Sequence, residues 1–404
     1  MASKNYDIIF LALPRWDGPY ASTAFSLAQQ LAKHTRVFYI DNPYTWKDVF
    51  SGWSKSSIKN RKKALLHGKE NIKTIANQLF AVTPKAVLPI NFLPAGGVYD
   101  VLTNYNNSIV SAGLNKLIKE NRISKYVLIN SFNPFYSPLQ LSIKPLDTIY
   151  QSVDNIEHSN YVAKHGSRKE KEIAGIADLV ITTSTQLTEK LRPFSKKIVC
   201  IPNAADIALF SKAMNEILPK PKEWETIGDK KVIVYTGNIC HRLDYELLLA
   251  VATSNPDKIL LMVGPSKNKL YEKWDLQLQA NVLFVGSKKP EELPAYLQYS
   301  HCAIIPFLCN ELTASIYPLK INEYLAAGKP VVSTNFSKDI NDFGDIISLG
   351  TNQSAFLLAI NKEIEEDTED LKWKRNKRAS QNTWEQRCDL LLDKIDELVL
   401  LQND

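Results

Sequence analysis

The chain of 404 residues has little of what marks several large functional classes. Its five cysteines (Cys200, Cys240, Cys302, Cys309 and Cys388) stand far apart, without a Cys-x-x-Cys pair, and the chain has six histidines. That excludes a disulfide-framed fold, gives no zinc-type ligand spacing, and reads as buried thiols in a reducing compartment. No apolar stretch approaches the ~18 residues of a membrane span, and the run Ile8–Leu13 is too short for a signal sequence. A soluble, cytoplasmic protein is expected. Nor is there an excess of one charge: 49 basic against 43 acidic residues give +6, well short of the field of a dedicated nucleic-acid binder. What is present is ordinary for a globular chain, 45% apolar and 23% charged, and the length favours two domains.

Short apolar runs recur, each followed by an amphipathic stretch of helical length. The first half holds Asp7–Leu13, Arg36–Ile40, Leu79–Thr83, Tyr126–Asn130, Asp147–Gln151, Asp178–Thr183 and Lys197–Ile201. The second holds Lys231–Gly237, Lys258–Gly264, Asn281–Gly286, Cys302–Pro306 and Pro330–Thr334. Continuous apolarity marks strands buried on both faces, and strand–helix alternation is the βαβ signature. The pattern breaks before Asp229, where Pro219 and Pro221 sit among charges. The expected class is α/β, with two doubly wound Rossmann-like domains: residues 1–210, a linker at 211–229, 230–385, and a C-terminal helix at 386–404. In that helix Leu390, Leu391, Ile395 and Leu398 have helical spacing and suit packing back across the domains.

The stretch ELTASIYPLKINEYLAAGKPVVST, Glu311–Thr334, is the most informative. Pro318 suits the start of a helix, Gly328 its end, and the loop before it follows a buried strand, where open α/β sheets bind ligands. Backbone N–H groups around Ser315, Ile316 and Tyr317 suit a phosphate at a helix N-terminus, with Lys320 as a cation beside it. Glu323, on nearly the same face, suits two vicinal ribose hydroxyls. Taken singly, Lys320 and Glu323 also read as surface charges.

PLKINEYLAAGKPVV resembles the donor-nucleotide segment of GT-B glycosyltransferases of the broad group 1 (family 4) class, nearest the teichuronic-acid and bacterial-polysaccharide branch. ADLVITTS with VCIPNAADIALF, VIVYTGNICHRLDYELLL and the opening LPRWDGPYASTAFSLAQQLAK are also similar to it. The resemblance implies two domains facing a central cleft, a nucleotide-diphosphate sugar donor of UDP or GDP type, and no separate cofactor or metal. It implies that Gly237 and Asn238 let the backbone approach the diphosphate, that Arg242 and Lys320 meet its oxygens, that Glu323 holds the ribose, and that Gly264 lies beside the base. The family's first acid falls where this chain has Ser315. Glu311, four residues earlier, is the nearest substitute.

On the acceptor side, Arg15, Trp16 and Asp17 follow the first strand, NSFNPFY (Asn130–Tyr136) a later one, and Asp154 and His158 a third. Asp154 is the best-placed carboxylate for general-base work or, equally, a helix cap. The chain has no Asp-x-Asp cluster, so leaving-group charge falls to Arg242, Lys320 and the 315–317 amides. Resemblance favours a retaining transfer to a saccharide or lipid-linked acceptor in cell-surface polysaccharide synthesis. An inverting transferase with Asp154 as base, a nucleotide-sugar epimerase and a non-catalytic nucleotide-binding scaffold stay open. The basic window Lys55–Lys73, with Trp46, Phe50 and Trp53 just before or at its edge, reads either as a solvated face or as a peripheral patch for the inner, anionic membrane face; nucleic acid is not expected.

Overall fold

The computed structural model describes residues 4–18, 22–158 and 162–401. It divides into two units, Met1–Pro202 with Arg387–Asp404, and Asn203–Gln386. The strands of the first are β1 (Asp7–Ala12), β2 (Val37–Ile40), β3 (Ile72–Ala76), β4 (Leu79–Val82), β5 (Tyr126–Ser131), β6 (Thr148–Ser152), β7 (Leu179–Thr182) and β8 (Ile198–Cys200). They form one sheet in the order β3-β4-β2-β1-β5-β6-β7-β8. All neighbours are parallel except β3 on β4. The central strands read DIIFLA and VFYI, and every residue of both is buried, because helices cover both faces.

The second unit has β9 (Val232–Thr236), β10 (Ile259–Val263), β11 (Val282–Gly286), β12 (Cys302–Ile305), β13 (Val331–Thr334) and β14 (Ser348–Gly350), in the order β11-β10-β9-β12-β13-β14. Its order reverses between β9 and β12, the switch point at which open parallel sheets present a crevice at their carboxyl ends.

Twelve of these strands lie on the apolar runs of the sequence. The other two have physical reasons for escaping notice. β3 is an antiparallel edge strand inside the basic window, with no fully buried residue, and β14 has three residues. The stretch 211–229 is not an open linker. Trp224 and Ile227 are buried in the core of the second unit with Phe210 and Ala213, and Tyr299 donates its hydroxyl to the Leu218 carbonyl. The prolines there punctuate a packed segment.

The last helix, Trp384–Leu401, returns the chain to the first unit. Cys388, Leu391, Leu392, Ile395 and Leu398 join the core under β1 and β2, while Leu390 faces solvent. No helix among the described residues is long and apolar enough to cross a membrane. Because Ile395 is fully buried, Ile395→Ala is expected to destabilise the chain by about 2–4 kcal/mol. Urea unfolding checks this, with the solvent-facing Leu390→Ala as the near-neutral control.

Candidate functional site

The helix Leu319–Ala326 positions the central side chains of the second unit. Pro318 stands at its N-cap, and it ends in a Schellman turn: Lys329 N–H donates to Tyr324 O, and Gly328 takes φ +69°. Tyr324 is fully buried, and its hydroxyl accepts the Thr236 amide N–H at 2.9 Å. That bond ties the helix to the carboxyl end of β9. One turn earlier, Lys320 is thereby laid across the loop that follows β9. A Cβ added to Gly237 would fall 2.3 Å from both Cε and Nζ of Lys320, so only glycine admits the ammonium there.

The neighbouring loop is equally tight. Gly264 has φ +152°, and a Cβ on it would lie 1.8 Å from the Gly237 carbonyl oxygen. Lys320 Nζ is 5.8 Å from the ring centroid of Tyr235, whose hydroxyl donates to the Asn238 carbonyl at 3.1 Å. A cavity of about 140 Å³ opens here, lined among others by Asn238, Cys240, Arg242, Ile316, Tyr317 and Lys320. Six of the residues singled out in the sequence, counting Gly237, thus meet within one small region. Burial raises the Glu323 carboxyl above its ordinary range, and the nearby Lys320 charge draws it partly back. No hydrogen bond reaches that carboxylate among the described residues, leaving its oxygens available to a ligand.

The loop before the helix differs from expectation. The short helix Glu311–Ala314, capped by Asn310, turns the chain so that the amides of Ser315 and Ile316 both donate to the Thr313 carbonyl. Those two N–H groups are therefore used inside the protein. Ser315 is buried, with its hydroxyl on the Leu312 carbonyl at 2.7 Å. Tyr317 is also buried, and its hydroxyl accepts a hydrogen bond from Asn322 at 3.2 Å.

Residues 216–380 match the family model Glycosyl transferases group 1. That match lies wholly within the second unit. Among curated proteins, the chain is 30% identical over 154 residues to the "Putative teichuronic acid biosynthesis glycosyltransferase TuaH" of Bacillus subtilis, and that alignment takes in 37% of each. The match thus spans little more than a third of that relative's length. Solved structures match over the whole chain. An α,α-trehalose 6-phosphate synthase from Burkholderia multivorans covers 100% of both chains, with a TM-score of 0.72 at 10% identity. A sucrose-phosphate synthase from Thermosynechococcus elongatus covers 98% of this chain and 100% of its own, with 0.69 at 16%. Anabaena HepE, solved with UDP and glucose, covers 96% and 99%, with 0.62 at 15%. These likenesses establish the fold as GT-B.

In the first unit of this GT-B chain, Arg15, Trp16 and Asp17 form one charged cluster with two residues that the sequence did not single out together. Asp17 pairs with Arg61 at 2.8 Å, and Arg61 lies 3.9 Å from Asp41. Asp41 Oδ1 accepts the Trp16 amide N–H at 3.0 Å. Arg15 donates to the Asn42 carbonyl and stacks 3.6 Å from the Tyr44 ring centroid. Asp41 stands directly after β2, the same kind of position that drew attention to Asp154 after β6. Asp154 is half-buried, with its carboxylate accepting the Asn155 N–H, and His158 is exposed at the end of a short turn. Both follow β6, two strands along the sheet from β1. Within NSFNPFY, Asn130 and Asn133 bond to each other, and Asn133 Nδ2 also donates to Ala12 O and Asn42 Oδ1, so this loop is tied mainly to itself and to the ends of β1 and β2.

Of the basic window, Arg61 and Lys63 hold acids, while Lys62 and Lys73 lie over the rings of Trp53 and Trp16. Lys55, Lys59 and Lys69 are exposed.

Gly264→Ala should destabilise the chain by about 2–5 kcal/mol, through positive φ and the clash with Gly237. Gly113→Ala, in an open helical position, should be neutral or stabilising; chemical denaturation separates the two. Burial pushes the Asp41 carboxyl up to about 6, although the Trp16 amide, Arg61 and Arg15 oppose the shift. Ionised Asp41 is therefore costly in the folded state: its stabilising protonation is complete below its unfolded value near 4 and lost as pH rises through about 6. Asp41→Asn should accordingly gain about 2–3 kcal/mol on the wild type between about pH 4 and about pH 8. Urea titrations at the two pH values check this.

Proposed function

We propose that the chain transfers a sugar from a nucleotide-diphosphate donor held by the second unit to a saccharide acceptor bound by the first. The observation that carries this reading is the Lys320 ammonium seated on Gly237 at the mouth of a cavity that Arg242 also lines. Two fixed cations at the carboxyl end of β9, at the switch point of the sheet, suit a diphosphate whose negative charge grows as the glycosidic bond breaks. Glu323 offers carboxylate oxygens to the ribose hydroxyls, and Gly264 leaves room beside β10 for the base. The Tyr317 side chain closes the cavity on the helix side.

The reaction we propose is retaining. The acceptor hydroxyl attacks the sugar C1 from the face that the diphosphate leaves. Its proton passes to a phosphate oxygen as the C1–O bond to phosphate breaks, and Lys320 and Arg242 stabilise the leaving anion. Asp154 would be the base of an inverting version. Arg15, Trp16, Asp17 and His158 are the proposed acceptor contacts. The similarity to a teichuronic-acid transferase supports a role in bacterial cell-surface polysaccharide synthesis. Lys55, Lys59 and Lys69 would meet anionic headgroups at the inner membrane face.

Thermal-shift titration with UDP-, GDP- and dTDP-sugars tests the donor half. At least one should stabilise the chain, and stabilisation by none would sink the reading. Lys320→Ala should keep the fold and lose transfer by about 100-fold or more, the scale seen on removing one transition-state charge partner. Unchanged transfer in that variant would remove the assignment of the diphosphate site.

A further inference from the structure

The helix Gly97–Glu120 shows two different faces in its first three turns. Tyr99, Thr103 and Asn106 point inward and are buried. Val98, Val101 and Tyr105, spaced to share one face, are 69%, 67% and 54% exposed, and Phe92 just before the helix is 72% exposed. Asp100 is the only charged residue between 97 and 108, and Arg168 neutralises it at 2.7 Å. Lys164 donates to the Phe92 carbonyl at 2.6 Å and has no carboxylate partner among the described residues. An uncharged apolar stripe with a cation at its base is costly to leave in water.

This stripe adjoins a pocket. A cavity of about 80 Å³ in the first unit is lined by polar groups of Asn42, Asp48, Asn91 and Tyr99 and also by apolar side chains such as Leu88 and Phe135. Asn91 and Tyr99 are the immediate chain neighbours of Phe92 and Val98. Asp48 belongs to the helix Trp46–Ser51, which carries Phe50, 71% exposed. Both segments therefore present apolar side chains outward and also contribute polar groups to the pocket. The charge of the chain is also unevenly divided: the first unit has 28 basic against 19 acidic residues, +9, and the second 21 against 24, −3.

We propose that the Phe92–Tyr105 face is a docking wedge for an anionic lipid surface, and that the acceptor entering the adjoining pocket is a lipid-linked saccharide. The inference rests on the reading that the first unit binds the acceptor, and it narrows the acceptor's chemical class. Valine and phenylalanine side chains enter the acyl boundary, Tyr105 sits at headgroup level, and Lys164 meets lipid phosphate. The pocket, with polar groups beside apolar walls, then receives the sugar while the hydrocarbon stays in the bilayer. A second copy of the chain is the poorer occupant, because a two-fold contact would bring together two units of +9.

The test uses the full chain and the variants Phe92→Ser and Val98→Ser/Val101→Ser, all at exposed positions. Sedimentation with vesicles containing phosphatidylglycerol should capture the wild type, less so at high salt, and pure phosphatidylcholine vesicles should capture less. Each variant should lose about tenfold or more in vesicle partition, with an unchanged thermal midpoint and an unchanged response to nucleotide sugar. In transfer assays each should raise KM for an alkyl-linked saccharide and leave KM for the same saccharide without the chain as it was. Variant binding equal to wild type, or no vesicle binding by the wild type, would overturn the wedge. So would sedimentation velocity showing a wild-type dimer that the serines dissociate, which would make the face a self-interface. If vesicle binding behaves as expected but no sugar is transferred to any acceptor, the transferase reading fails and the lipid-docking wedge stands.

Discussion

The second unit is organised around one contact, the Lys320 ammonium resting on the Cα of Gly237. A lysine has four flexible methylenes, and holding its head in one place costs side-chain entropy. The protein meets that cost from below and from the side. Tyr324 fixes the helix to the end of β9 through the Thr236 amide, and the Tyr235 ring lies beneath the cation. Gly237 and Gly264 remove the two side chains that would hold the loops apart. Strand order contributes the rest, because β9 and β12 are neighbours where the sheet reverses. The helix leaving the loop after β12 therefore lands beside the loop after β9 without any long excursion.

The two units handle charge differently. Near Lys320, the cation has a partly buried carboxyl, Glu323, close enough to feel it, and no hydrogen bond among the described residues satisfies that carboxyl. An ionised group so placed is unfavourable alone and improves when hydroxyl donors arrive. In the first unit, Arg15, Asp17, Asp41 and Arg61 alternate in sign and are linked by side-chain and backbone bonds. That arrangement holds the loop after β1 in place at the expense of a buried carboxylate. Arg61 comes from the basic window, so part of what looks in sequence like a free positive patch is committed to this loop.

Much of the fold was legible because parallel strands covered on both faces need unbroken apolar runs, and DIIFLA, VIVYT and ILLMV are such runs. The edge strand Ile72–Ala76 was not, since exposure on an edge lets lysine and threonine into it. Pro219 and Pro221 suggested an open linker, but Trp224 and Ile227 show that large apolar residues near prolines can carry a packed segment. Lys320 and Glu323 could be named from residue type and spacing, and Gly237 from the family resemblance. Their mutual contact could not, because it depends on a hydroxyl 88 residues from its amide partner. Asp41 escaped notice although it follows a strand as Asp154 does. What distinguishes it is total burial, a property of the fold.

Ser315 is where the chain departs from the pattern it resembles, and its surroundings explain what the residue does instead. An acid there would be buried against the Leu312 carbonyl, two like oxygen acceptors with no proton between them unless the acid were protonated. Serine donates to that carbonyl and closes the short turn opened by Asn310. The same turn takes the Ser315 and Ile316 amides out of service as phosphate donors. In the proposed reaction, electrostatic stabilisation of a departing diphosphate then falls more heavily on side-chain cations than on a row of backbone N–H groups. A point charge on a flexible stem is a good substitute only if something immobilises it. The glycine under Lys320 and the tyrosine behind it supply that immobilisation, so the close approach at Gly237 and the serine at position 315 belong to one solution of the same electrostatic problem.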